Sequence, residues 1–74
     1  MTARQGQIVL KQIGVRIKSA RKTKALSLKA VADAAEINRL YLSRVERGLE
    51  NVSILTLVRI AGALGTSARN LLCD

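Results

Sequence analysis

The stretch that decides the fold is Leu28–Arg47, LKAVADAAEINRLYLSRVER. It contains two short helical segments joined by a turn of three or four residues, and Ala32 lies where the second helix must cross the first closely. Its apolar positions fit the buried side of such a pair; they are Val31, Ala35, Ile37, Leu42 and Val45. This spacing is typical of a helix-turn-helix, whose second helix lies in the major groove of DNA, but it also arises by chance in other helical hairpins.

The flanking segments also have helical signals. Four predicted helices follow a residue whose side-chain oxygen can cap a helix start, namely Ser27, Asn38, Ser53 and Ser67. Two predicted helices end at a glycine, Gly48 and Gly65, which suits a left-handed helix stop. We therefore expect five helices, over about Gln7–Thr23, Leu28–Ala35, Arg39–Arg47, Ile54–Leu64 and Ala68–Leu72.

Apolar periodicity predicts the buried faces of the two longest helices. In the first helix, the predicted inward positions are Ile13, Ile17 and Ala20. In the fourth helix, the predicted continuous stripe is Ile54, Leu57, Val58, Ala61 and Leu64. Five short helices with short connections predict one compact all-α domain over residues 7–74, preceded by a flexible arm over residues 1–6.

A core this small is marginal by buried area alone. Leu71 and Leu72, on the short last helix, add apolar surface that has two possible uses. They either bury against a second copy in a homodimer, which would raise stability, or close the core of the monomer.

Composition excludes several classes of function. The 74 residues contain 13 Lys and Arg, five Asp and Glu, one Cys and no His, with a net charge of +8. With no His and a single Cys, the chain cannot form a zinc finger or a similar metal site. It also lacks His, the usual general acid–base catalyst. We therefore expect no bound metal, no cofactor and no enzymatic activity. One tyrosine cannot provide a stacking platform for single-stranded nucleic acid. No apolar run approaches a membrane span or signal peptide, and we expect a cytoplasmic protein.

The positive charge is concentrated at the front of the chain. Residues 1–24 hold seven bases and no acid, whereas residues 49–74 hold two of each. Such a basic front half attracts a polyanion, although a basic surface with no specific partner would have the same charge.

With these features in place, the sequence resembles the phage-repressor-like (Xre/Cro-like) helix-turn-helix family. The resemblance covers about Ile13 to Leu72 and rests on IGVRIKSARKTKALS, AVADAAEINRLYLSRVERG and VSILTLVRIAGALGTSARNLL. It implies a five-helix, lambda-repressor-like DNA-binding domain. The segment Glu-Asn-Val-Ser at residues 50–53, with the short length, is also similar to the controller proteins of restriction–modification systems.

Three positions depart from the family pattern. Leu28 replaces a Gln that often contacts phosphate, which puts one phosphate contact in doubt. Glu36 replaces the usual turn Gly, and a non-Gly residue in a left-handed turn costs about 1 kcal/mol. Val52 replaces a Pro. The last two affect stability and leave the fold prediction intact.

The resemblance makes the third helix the recognition helix. Its predicted base-reading residues are Arg39, Leu40, Ser43 and Arg44. Arg39 and Arg44 are the principal readers because the guanidinium fork matches the two acceptors of guanine, although either could bind phosphate only. The predicted phosphate contacts are Ser27, Asn38, Tyr41, Arg47, Asn51, Lys18, Lys22, Lys24 and Lys29. Ser27 and Asn38 could instead act as caps alone, and each Lys could be a solvated charge.

Two acids stand close to these residues in the sequence. In the family, an acid at the position of Glu46 pairs with a first-helix Arg, which is Arg21 here, so the resemblance implies a partly buried Arg21–Glu46 ion pair. Glu50 lies in the loop after the recognition helix and argues against a uniformly positive rim.

These features predict a sequence-specific regulator of transcription that binds double-stranded DNA as a homodimer, on an inverted-repeat operator. It could be the controller protein of a restriction–modification system. The alternative is an antitoxin-type or phage repressor module whose main partner is another protein. A cationic membrane-active peptide is a third hypothesis, against which the capping residues and periodic core argue.

Overall fold

The computed structural model of the protein describes residues 2–73, which form five α helices. The helices are α1 (Ala3–Thr23), α2 (Leu28–Ala35), α3 (Arg39–Glu46), α4 (Ile54–Ala63) and α5 (Ala68–Leu72). Helices α2 and α5 have the predicted bounds, and α3 and α4 each end one residue earlier than predicted. Among the described residues, no helix combines the length and apolar character needed to cross a membrane.

All four predicted N-caps are present. The side chains of Ser27, Ser53 and Ser67 each accept the backbone N–H three residues later, at 3.0–3.4 Å. The Oδ1 of Asn38 accepts the backbone N–H of Leu40 at 2.7 Å. Each of these helices therefore begins where a short polar side chain satisfies a donor that the helix itself leaves unpaired.

The start of α1 corrects the predicted boundary. The helix begins at Ala3 rather than near Gln7, because Thr2 and Gln5 form a capping box in which each side chain accepts the other's backbone N–H, at 3.2 and 2.7 Å. Most of the predicted flexible arm over residues 1–6 therefore has helical backbone. Met1 lies outside the described residues, as does Asp74 at the other end.

Four helices end in the same type of turn, with a left-handed residue after the helix. Gly48 and Gly65 have φ angles of 74° and 68°, as expected for glycine at this position. Ala25 and Glu36 have φ angles of 55° and 58°, although their Cβ atoms disfavour this region. The turn after α2 therefore keeps its shape without the usual glycine.

The core lies between the inward faces of α1, α2, α3, α4 and α5. Its buried apolar residues are Ile13, Ile17, Val31, Ala32, Ala35, Leu42, Val45, Leu57, Ile60, Ala61, Leu64 and Leu71. Helix α2 packs mainly on α4 and α3, while α1 packs on α3 and α5. The exposed surface of α3 is therefore opposite the helices that hold it.

The predicted stripe of α4 is wrong at two positions. Ile54 and Val58 are 66% and 50% exposed, while Ile60, which the prediction omitted, is completely buried. Leu57, Ala61 and Leu64 are buried as predicted. Helix α4 is apolar on nearly all sides, so its contacts with α2 and α5, rather than its own pattern, decide which face turns inward.

Candidate nucleic-acid interface

Helix α3 has one buried face and one face open to a ligand. Leu42, Val45 and Glu46 are buried, whereas the opposite arc, which includes all four predicted base-reading residues, is exposed or partly exposed. That arc consists of Arg39, Leu40, Ser43, Arg44 and Arg47. Leu40 is 67% exposed on this short polar helix. The fold thus presents three guanidinium groups and one aliphatic side chain on the exposed side of α3.

An ion pair joins the C-terminal end of α3 to α1. The Nε of Arg21 donates to Oε2 of Glu46 at 2.7 Å, and its Nη2 donates to Oε1 at 3.0 Å. A third donor, Nη1, reaches the carbonyl of Leu26 at 3.0 Å. Arg21 is 9% and Glu46 7% exposed, so the ion pair implied by the resemblance is present and almost completely buried. It joins the end of α1, the loop before α2 and the last turn of α3.

The charge of Arg21 is stabilised by this pairing. The hydrogen bonds to Glu46 raise the pKa of the guanidinium above its ordinary value, and the attraction of the carboxylate raises it further, although burial opposes both. Because the folded-state pKa is raised, the contribution to stability is complete below the unfolded-state pKa and is lost only as the pH rises through the folded-state value. Arg21 therefore keeps α3 attached throughout the neutral range.

Gly14, which the sequence-based site prediction did not single out, sets the distance between α1 and α3. A Cβ atom at this position would lie 2.5 Å from the carbonyl oxygens of both Val45 and Glu46. Only glycine therefore lets the two helices approach this closely. A glycine within a helical pattern was not a sufficient signal, because α1 also contains Gly6, where an added Cβ would meet nothing within 4 Å.

The caps of α2 and α3 use the side-chain oxygens of two predicted phosphate contacts. Ser27 accepts the N–H of Ala30, and Asn38 accepts the N–H groups of Leu40 and Tyr41. Both side chains are exposed, at helix N-termini that favour an anion. Tyr41 is half-buried against the core. Their contacts with phosphate stay predictions.

Two predicted DNA-binding cations already have acidic partners. The Nζ of Lys29 lies 2.7 Å from Asp33, one turn along α2, in a strongly exposed pair. The Nε of Arg44 lies 2.7 Å from Oε1 of Glu50, with the two side chains 43% and 34% exposed. A strongly exposed pair such as Lys29–Asp33 is worth about 0–1 kcal/mol, so Lys29 could exchange its partner for a phosphate at little cost. The bond between Arg44 and Glu50 is partly buried and leaves the two Nη groups of Arg44 available to a ligand.

Basic and polar groups flank the C-terminal end of α3. Arg47 and Asn51 line a groove whose opposite wall is the first half of α1 and includes Lys11. Lys11, absent from the predicted contacts, packs so closely on Gly48 that a Cβ there would lie 2.8 Å from its Cα. The remaining predicted phosphate contacts, Lys18, Lys22 and Lys24, are exposed at other points of α1 and its C-terminus.

The predicted dimer contact of Leu71 needs correction. Leu71 is 2% exposed and belongs to the core of its own chain, because α5 folds back on α4 and α1. Leu72 is 43% exposed. Within residues 2–73, His, Cys, Asp and Glu side chains form no group of three that could hold a metal ion.

Comparisons with known proteins agree with this geometry. Residues 17–71 match a family model described as helix-turn-helix. The chain is 43% identical over 53 residues to the immunity repressor protein of Bacillus phage phi105. The matched segment covers 72% of this chain and 37% of that protein. The present chain spans between 37% and 55% of the length of four curated relatives, one of which is this repressor.

Two solved structures are similar over most of this chain. The restriction–modification controller protein C.AhdI from Aeromonas hydrophila is 35% identical with a TM-score of 0.82, covering 84% of this chain and 94% of that chain. SinR, the master regulator for biofilm formation, in complex with DNA, is 42% identical with a TM-score of 0.78, covering 82% of this chain and 98% of that chain.

Proposed function

The chain belongs to the helix-turn-helix family, and on that premise we propose that it is a transcription regulator that binds specific sequences in double-stranded DNA. The observation that carries the proposal is the exposed arc of α3, which presents Arg39, Arg44 and Arg47. The ion pair between Arg21 and Glu46 fixes the C-terminal end of this helix against α1. A rigid helix with such a surface fits the major groove of B-form DNA. SinR, a similar protein, has been solved in complex with DNA, which supports this proposal.

The residues of α3 divide into two roles. Arg39 and Arg44 recognise guanine through paired donors, Leu40 contacts the methyl group of thymine, and Ser43 lies between them. The helix starts at Ser27 and Asn38, together with the cations around α3, bind phosphates and set the register. Enzymatic activity is not part of the proposal, since the similar proteins described above are a repressor, a controller and a regulator.

A second copy of the chain completes the proposed DNA-binding unit. Helix α4 exposes three large aliphatic side chains opposite α2, since Ile54 and Leu55 are each 66% and Val58 50% exposed. A Cβ at Gly62, one turn beyond Val58, would meet nothing within 4 Å, so a partner helix could approach there closely. A two-fold axis through this face would relate two copies of the chain and so provide two α3 helices. Each would bind one half-site of an inverted repeat, with the half-sites roughly 34 Å apart.

The finer proposal is a controller protein, acting in the cytoplasm where its operator lies. It rests on the likeness to C.AhdI, which extends over 94% of that chain. An adjacent methyltransferase and endonuclease in the genome would support it, whereas an integrase or lysis cassette would indicate a phage regulator.

Sequence-specific binding is tested by selecting sites from a random duplex pool and titrating the selected site by fluorescence anisotropy. We expect tighter binding to the selected duplex than to a scrambled duplex at about 150 mM salt, and a steep loss of affinity as salt rises. Equal affinity for the two duplexes would reject the proposal.

The homodimer is tested separately by sedimentation. Leu55→Lys places a charge in the proposed interface and should shift the protein toward monomer. Val15→Lys is the matched control, because Val15 is also an exposed aliphatic residue on a helix, 58% exposed on α1 against 66% for Leu55 on α4. A wild-type protein that sediments as a monomer even with its selected duplex would contradict this part of the proposal.

A further inference from the structure

Arg44 lies on the exposed side of α3, the side that would meet DNA. One atom of its guanidinium, Nε, is already hydrogen-bonded within the protein. Its Nε donates to Oε1 of Glu50 at 2.7 Å. Within residues 2–73, its two Nη groups make no hydrogen bond. The side chain is 43% exposed, so those two groups can still reach a ligand.

The bond to Glu50 selects which edge of the guanidinium is available. Arginine can present two neighbouring donors either from Nε and one Nη or from its two Nη groups. Glu50 occupies Nε and so blocks the first edge. The second, end-on edge matches the O6 and N7 acceptors that guanine presents in the major groove.

The backbone after α3 keeps Glu50 beside Arg44. The N–H of Leu49 donates to the carbonyl of Arg44 at 2.9 Å, and the N–H of Gly48 donates to that of Val45 at 3.0 Å. These bonds form the turn that the left-handed Gly48 permits, and they return the chain to the last turn of α3. Glu50, the next residue, is therefore placed by the backbone rather than by a chance side-chain contact.

On the basis of the proposed function, we propose that Glu50 is a positioning residue that holds Arg44 for end-on recognition of one guanine and so sets base preference at that position. A restrained side chain loses less rotamer freedom on binding, which corresponds to about two- to tenfold in affinity for the correct base. A carboxylate near the DNA backbone also repels phosphate at every site. Glu50 therefore weakens binding to all sequences and strengthens discrimination at one base pair.

The test compares single-base variants of the site selected by the wild-type protein. For each variant duplex, the ratio of its dissociation constant to that of the selected site measures discrimination at one position. Arg44→Lys retains the charge but lacks the fork, so the position whose ratio it lowers is the one that Arg44 reads. We expect Glu50→Gln to lower the ratio at that same position by about two- to tenfold and to leave the others unchanged.

A matched control separates positioning from charge. Glu36→Gln removes one exposed carboxylate from the turn before α3, so it should alter affinity for all duplexes equally and change no ratio. In an Arg44→Lys background, Glu50→Gln should have no further effect on the ratio. Circular dichroism and thermal unfolding check that each variant remains folded.

Each contrary result has a distinct meaning. If the wild-type protein selects no sequence, the proposed function fails and the inference fails with it. If a site is selected but Arg44→Lys changes no ratio, or Glu50→Gln behaves like Glu36→Gln, the inference alone is overturned. A higher ratio in Glu50→Gln would also overturn it, since Glu50 would then be withholding Arg44 from the base.

Discussion

Removing the carboxylate of Glu46 should destabilise the protein far more than removing any exposed acid. In Glu46→Ala, the guanidinium of Arg21 stays buried but loses two of its three hydrogen bonds and keeps only the one to the carbonyl of Leu26. With Arg21 only 9% exposed, water cannot replace these bonds without opening the junction between α1 and α3. Breaking one side of a buried pair costs about 3–5 kcal/mol.

That loss is large relative to the stability of so small a domain. At about 0.05–0.15 kcal/mol per residue, 74 residues give a free energy of unfolding of about 4–11 kcal/mol. Glu46→Ala should therefore remove between about a quarter and all of the stability. By contrast, Glu50→Gln breaks a half-exposed pair and should cost about 0–1 kcal/mol.

Urea unfolding followed by far-ultraviolet circular dichroism measures both variants, since the chain contains no Trp. The double variant Arg21→Met/Glu46→Leu distinguishes a lost attraction from an uncompensated buried charge. Replacing both members with apolar side chains of similar size should recover most of the stability, because no charge is then left without a partner.

A Glu46→Ala protein within about 1 kcal/mol of the wild type would refute this reasoning, because exposed pairs have values in that range. So would a double variant less stable than Glu46→Ala. The first result would mean that the guanidinium reaches solvent in the variant; the second, that shape rather than charge governs the junction.

Three further predictions test other parts of the fold and site. Gly14→Ala should destabilise the protein by about 1–3 kcal/mol in urea unfolding, because its Cβ would collide with two backbone oxygens, whereas Gly6→Ala in the same helix meets nothing and should be neutral or stabilising. Glu36→Gly should raise the melting temperature by about 2–8 °C by relieving the left-handed strain, and an unchanged or lower midpoint would contradict this. Lys18→Ala should reduce the salt dependence of DNA binding by about one unit of slope with base preferences intact, whereas Arg39→Ala should weaken preference at one base pair.

The helices could be predicted because their ends are encoded locally. Ser27, Asn38, Ser53 and Ser67 each satisfy a backbone donor within three residues, so their neighbours in sequence were enough to place the helix starts. The missed start of α1 had the same kind of signal. Thr2 and Gln5 have the spacing of a capping box, whereas the sequence analysis predicts a flexible arm over residues 1–6.

The buried face of α4 could not be predicted in the same way. Apolar residues occupy nearly the whole sequence of this helix, ILTLVRIAGA, so several rotations about its axis bury a comparable stripe. Only the contacts with α2 and α5 select the rotation that buries Ile60 and exposes Ile54 and Val58. A helix that is apolar all round has no preferred face until its neighbours are present.

The candidate site combines both situations. Periodicity was sufficient to place Arg39 and Arg44 on the exposed arc of α3, because that arc is the complement of the buried Leu42 and Val45. The direction of the Arg44 guanidinium depends instead on Glu50, six residues along the chain, and therefore on the turn that Gly48 allows. A local pattern can thus identify which side chains of α3 are exposed, whereas the hydrogen bond that restrains Arg44 depends on backbone geometry beyond the helix. For this reason, base preference in such a small domain should depend on Glu50 in the loop after α3 as well as on the exposed residues of α3 itself.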